Sequence, residues 1–197
     1  MHETSDAESR SVATPAESRA WLLLIYRIPK DSASARTTIW REARRLGALS
    51  LQHATFLLPL SKQNRLDYER LCRRIEEYGG EATLLETASP SNEWHERTVT
   101  RFNAARDEEY EEVVDEAERV REEIERERRK GKFTFAELED VEGQLERVRK
   151  YLGKAETRDV FGATGNAQAV AAMEECAGEC EAFAQQVYAR QRVDESV

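Results

Sequence analysis

The chain has 197 residues, 30 of them basic and 39 acidic, for a formal net charge of −9. That length accommodates one ordinary domain, or a small domain with an appendage, and it is enough to bury a core. Scarce glycine (9) and proline (4) argue for long regular elements, no run of 18 apolar residues exists to span a membrane, and three cysteines are too few for a disulfide scaffold.

Residues 1–18 are rich in Ser, Ala, Glu and Thr and lack an apolar period. They read as a disordered arm rather than a secretory signal, and a cytoplasmic location follows as the expectation. Trp21-Leu22-Leu23-Leu24-Ile25-Tyr26 has the length of a strand buried on both faces, closed by Ile28-Pro29. After a loop over Lys30 to Ser34, a helix is expected from Ala35 to Leu46 with Gly47 as its stop. Ile39, Trp40, Ala43 and Leu46 gather on one arc of it; Arg41, Arg44 and Arg45 gather on the opposite arc, and Arg36 falls on the apolar side. Residues 48–52 and 54–60 read as two strands or one bent strand. A second helix over Gln63 to Tyr78 has Tyr68, Leu71, Cys72, Ile75 and Tyr78 inside, and Ala82 to Glu86 is the last strand. The order β-α-β-β-α-β describes a ferredoxin-like unit over 19–90 in an α+β protein.

Beyond Pro90 the composition turns helical and highly charged. Val99, Phe102, Tyr110, Val113, Ala117, Val120 and Ile124 step by threes and fours, with a gap at Arg106. Gly131 breaks this helix, and Thr134 to Glu137 forms a capping box for the next, whose stripe is Leu138, Val141, Leu145, Val148 and Leu152. The last helix, about Ala167 to Arg190, has the stripe Val170, Met173, Ala177, Cys180, Ala184 and Val187. Three such helices predict a mostly antiparallel bundle or hairpin over 93–192.

The charge divides along the same line. Residues 1–92 carry 13 basic and 12 acidic side chains, and 93–197 carry 17 and 27. Arg19 to Arg74 holds 12 basic against 4 acidic residues, a net of +8. The acidic total therefore does not exclude DNA; it directs DNA to the βαββαβ part.

Cys176 and Cys180, four apart on one helix, suit core packing, a shared metal or redox chemistry; the distant histidines His2, His53 and His95 supply no further ligand. No phosphate-binding, metalloprotease or nucleophile-elbow motif is present, so no catalytic residue, metal or cofactor is assigned and an enzyme is not expected. The arc Arg41, Arg44 and Arg45 suits either phosphate contact on a duplex or an ordinary solvated face. On the second helix, Glu69–Arg73 and Arg73–Glu77 pairs favour a plain surface. Arg36, near a helix N-terminus, is a candidate for oxyanion binding, or else a salt bridge to Asp31 or Glu86.

Trp21 to Pro29, Arg36, Trp40-Arg41, Leu46-Gly47-Ala48, Leu51-Gln52, Phe56 to Pro59 and Ile75 to Ala82 together resemble the N-terminal domain of ChrB-type chromate-resistance regulators. The likeness spans roughly 20–192. The ferredoxin-like part is also similar to the middle domain of PaaX-type repressors and to the CRISPR adaptation endonuclease fold, although Tyr26-Arg27 stand where that endonuclease has an acidic residue. The ChrB resemblance implies a cytoplasmic transcriptional regulator that binds promoter DNA and responds to chromate, with Arg36, Arg41, Arg44 and Arg45 as its DNA or oxyanion contacts. Glu42 departs from the family's basic position and weakens the patch. The family's C-terminal domain, linked to chromate sensing or export, is not in this sequence. That implies DNA binding without chromate sensing, or action through a separate partner. The helical module would pair subunits in a homodimer; a structural protein that dimerises through those stripes, and an oxyanion sensor without DNA binding, are the competing readings.

Overall fold

Ala20–Arg27 forms the first strand, β1, of a computed structural model that describes residues 19–30 and 32–194. The expected disordered arm, 1–18, lies outside the described residues. The fold is mixed α/β and mostly helical: β1 is followed by α1 (Ala33–Arg45), β2 (Leu49–Gln52), β3 (Thr55–Pro59), α2 (Lys62–Glu77), β4 (Glu81–Ala88), α3 (Asn92–Lys130), α4 (Phe135–Arg158) and α5 (Asn166–Asp194). Two compact units divide it, Met1–Arg97 and Thr98–Val197.

In the first unit the strands pair antiparallel in the order β2-β3-β1-β4. Leu22 and Leu24 of β1, with Phe56 and Leu58 of β3, point into a core shared with Ala35, Ile39 and Ala43 of α1 and Tyr68, Leu71 and Ile75 of α2. β1 departs from the expected double burial: on its other face Ile25 is 41% exposed, because alternate residues of a strand face opposite ways and neither helix covers that side there. At the far end of the same face Trp21 is wholly buried. Trp94 meets it edge-on at 5.9 Å, His95 lies 5.6 Å away, and the indole Nε1 donates to Ser89 Oγ at 2.7 Å. The first turns of α3 thus belong with the sheet.

Two residues assigned to inner arcs lie outside. Trp40 is 49% exposed, because the buried stripe of α1 runs through Ala35, Ile39 and Ala43 and leaves the bulkier indole at its edge. Tyr78 is 37% exposed, since it caps α2 rather than continuing it. The turn into β4 is tightly constrained. A Cβ on Gly80 would lie 2.5 Å from the Arg27 carbonyl oxygen and 2.9 Å from Ile75 Cγ2. Gly80→Ala should therefore cost about 1–3 kcal/mol, read as a lower midpoint in urea unfolding with an unchanged slope.

In the second unit one apolar core joins α3, α4 and α5. The α4 stripe from Leu138 to Leu152 is buried as expected. The capping box is half formed: Thr134 Oγ1 accepts from the Glu137 amide at 3.3 Å, while the Glu137 carboxylate pairs with Lys132 at 3.2 Å. The α5 seam differs from expectation. It runs through Ala169, Met173, Cys176, Cys180, Phe183 and Val187, and Val170, Ala177 and Ala184 are only partly buried. Alanines and cysteines on both flanks give the sequence little apolar contrast there, and the large Phe183 ring decides the phase.

The gap at Arg106 is no gap in burial. Arg106 is 3% exposed and donates to Glu109 at 2.7 Å, and Glu109 also accepts from Arg158 at 2.6 Å. Beside it, the α4–α5 connector is fastened to α3. The Tyr110 hydroxyl donates to Asp159 at 3.1 Å and accepts from Asn166 at 3.0 Å, and Asp107 accepts from the Gly165 amide at 2.7 Å. Burial pushes the Tyr110 phenol up to about 12, so it stays a proton donor.

Candidate functional site

The basic face of α1 is built by helical spacing. Arg41 and Arg45 are exposed, and Arg44 is half-buried with its guanidinium 5.9 Å from the centre of the Trp40 ring. A cation against an aromatic face keeps its charge while its stem covers apolar surface. Glu42 does not sit among these arginines. Its carboxylate is drawn 2.6 Å from Arg74 on α2, which ties the two helices together and removes the acid from the arc. On α2 itself Arg70 pairs with Asp67 one turn away, Arg74 holds Glu42, and Arg65 reaches Glu86 on β4. Arg65, Arg70 and Arg74 of α2 are thus matched to acids, and Glu42, the one acid of α1, is turned from the arc toward α2.

Arg36 lies off the apolar side of α1 that its spacing suggested. It is exposed, and its Nη1 and Nη2 donate to the carbonyls of Pro29 and Lys30 at 2.8 and 3.0 Å. Glu86 is taken by Arg65, and Asp31 lies outside the described residues. Arg36 thus staples the β1–α1 loop where α1 has no side-chain cap from Ser32. Two of its five N–H donors are engaged this way.

Arg36 also lines a groove of about 460 Å³ with Tyr26 and Arg27 of β1, Trp40 of α1, His53 of the β2–β3 turn and Phe56 of β3. Tyr26 and Phe56 lie parallel, 6° apart with centroids separated by 6.1 Å. The turn is held by Ala54, which adopts φ +58° and whose carbonyl accepts from the Tyr26 amide at 3.0 Å. Sequence reasoning singled out Arg36 and missed His53, Tyr26 and Phe56. The one available signal was the i,i+4 row Arg36, Trp40, Arg44, which sets an aromatic between two cations.

The cysteines are in the bundle core: Cys176 is fully buried and Cys180 is 4% exposed. Hydrogen bonding to Cys176, reinforced by burial, pushes the Cys180 thiol well up, so it stays protonated. Among the described residues no group of three or more His, Cys, Asp and Glu side chains could hold a metal ion, and no helix is long and apolar enough to cross a membrane.

Residues 36–194 match the family model described as protein ChrB, N-terminal. The match begins at Arg36 and so takes in most of α1, then β2, β3, α2, β4 and the three long helices, while β1 precedes it. No curated protein and no solved structure matches, so the similarity to PaaX-type repressors has no support from either. With most of the chain covered by one family model, the protein belongs to the ChrB N-terminal family, which links it to the regulators of chromate resistance.

Proposed function

We propose that this chain is a cytoplasmic, non-enzymatic transcriptional regulator of chromate resistance that binds promoter DNA through the α1 face. The carrying observation is the arc Arg41, Arg44 and Arg45, from which the only nearby acid on the helix, Glu42, is withdrawn by Arg74. Guanidinium groups in such an arc suit phosphates of a duplex in charge and geometry. The strand order β2-β3-β1-β4 with antiparallel neighbours throughout supports a ferredoxin-like βαββαβ unit as the platform. The bonds to Pro29 and Lys30 account for two of the five N–H donors of Arg36, which supports a response to an oxyanion such as chromate at the N-terminal end of α1.

Homodimerisation belongs to this reading with one change. The stripes expected to meet a partner, Leu138 to Leu152 and the α5 seam, are used within the chain's own core. A second copy would instead meet exposed aromatics: Phe135 and Tyr188, in edge contact at 5.4 Å, and Tyr151.

Fluorescence anisotropy with the gene's own upstream DNA, from about 50 to 200 mM salt, tests the reading. The log–log salt slope should fall by about 0.9 for each phosphate that Arg44→Ala/Arg45→Ala no longer neutralises. Absence of binding at the low-salt end, or an unchanged slope in the variant, rejects it.

A further inference from the structure

We propose that the groove bounded by β1, α1 and the β2–β3 turn binds a small planar anion: an aromatic ring that carries a carboxylate or sulfonate group. The groove's volume of about 460 Å³ falls among small-molecule sites, which span about 300–1,000 Å³ and combine aromatic walls with a few polar groups. Among the described residues its lining has no carboxylate, whereas it includes the guanidinium groups of Arg27 and Arg36 and the imidazole of His53. Its apolar part is largely aromatic: an indole, that of Trp40, left half in water, and the half-buried Tyr26 ring, which lies parallel to the buried Phe56, beside Ile28 and Ala54. A bare tetrahedral oxyanion would use the cations and leave the exposed faces of Trp40 and Tyr26 wet. A planar anion would use both, with its ring against the aromatic wall and its charge on the arginines.

The cations are available for this role. Arg36 is fixed by the Pro29 and Lys30 carbonyls, so its orientation is set before any ligand arrives. Arg27 has one exposed partner, Glu81 at 2.8 Å, and such a surface pair is easily exchanged for a ligand. The site goes beyond the DNA reading and gives Arg36 an aromatic anion in place of chromate; its primary readout is the probe's own emission, so it and the DNA reading can fail separately.

The test is titration of the full chain with 1-anilinonaphthalene-8-sulfonate, an aromatic sulfonate, followed by its own emission. A saturable enhancement is expected. It should weaken about tenfold in Arg27→Ala, the loss of one charged hydrogen bond, and to a similar extent in Trp40→Ala, the loss of a stacking face. Both positions are solvent-exposed, so the fold survives, which circular dichroism checks. Leu85→Ser, on the exposed apolar face of the sheet, should leave the titration unchanged. No enhancement, equal enhancement in Trp40→Ala and Arg27→Ala, or loss in Leu85→Ser overturns the proposal. Displacement by benzoate but not by equal sulfate or chromate supports the aromatic class. Equal displacement by sulfate or chromate, or tighter displacement by a short single-stranded oligonucleotide, overturns it.

Discussion

Phe183→Ala should unfold the helical unit at markedly lower denaturant, at a cost of about 3–5 kcal/mol. Phe183 is fully buried among the residues of the bundle core, and Phe133 packs against it with ring centroids 6.0 Å apart. Truncation removes the largest side chain of the α5 seam and leaves a cavity that the flanking alanines and cysteines cannot fill. The control is Ala184→Ser, one residue on and only partly buried, which should cost less than about 1 kcal/mol. Guanidinium unfolding followed by circular dichroism distinguishes the two. Equal costs would show that the seam of α5 runs through Ala184, as its sequence alone suggests.

Loss of the Glu109 carboxylate is the second large effect. Glu109→Ala takes from Arg106 and Arg158 an acceptor that both share, at 2.7 and 2.6 Å. The Arg106 side chain is 4% exposed, so its charge gains little from water once that partner is gone. Breaking one side of a buried ion pair costs about 3–5 kcal/mol, and the half-buried position of Arg158 places the expected value at the lower end, near 3. Adding Arg106→Met should recover much of the loss, because an apolar chain of similar length fills the site without a charge to satisfy. Thermal unfolding of the single and double variants reads this. If the double variant is no more stable than Glu109→Ala, the network acts through something other than charge burial.

The fold was legible where one physical signal dominates. The run Trp21 to Tyr26, the stop at Gly47 and the heptad Leu138 to Leu152 each leave one economical structure, and each element lies where periodicity puts it. Legibility failed where two faces compete. α5 offers alanine and cysteine on adjacent arcs, and only the fit of Phe183 into the facing helices selects between them. Trp40 has the apolar character of an inner residue, yet the space between α1 and the sheet is filled by Ala35, Ile39 and Ala43. Arg106 interrupts an apolar stripe, and a stripe alone does not show that Glu109 and Arg158 make its burial tolerable.

The candidate site shows the same division. The arc Arg41, Arg44 and Arg45 follows from spacing within a single helix, so its geometry is local and readable. Removal of Glu42 from that arc depends on Arg74, 32 residues away on another helix. The groove beside Arg36 depends on Tyr26, His53 and Phe56 from three separate segments, which only the pairing of β1 with β3 and the turn at Ala54 bring together.

The burial of Trp21 beneath Trp94 and His95 has an optical corollary. All three tryptophans of the chain, Trp21, Trp40 and Trp94, fall within Met1–Arg97. Indole emission therefore follows the sheet-bearing unit alone, while far-ultraviolet ellipticity is dominated by α3, α4 and α5. A single sample thus carries two independent clocks for melting. Coincident curves from the two signals would mean that both units lose structure in one cooperative step, and separated curves would give each its own transition.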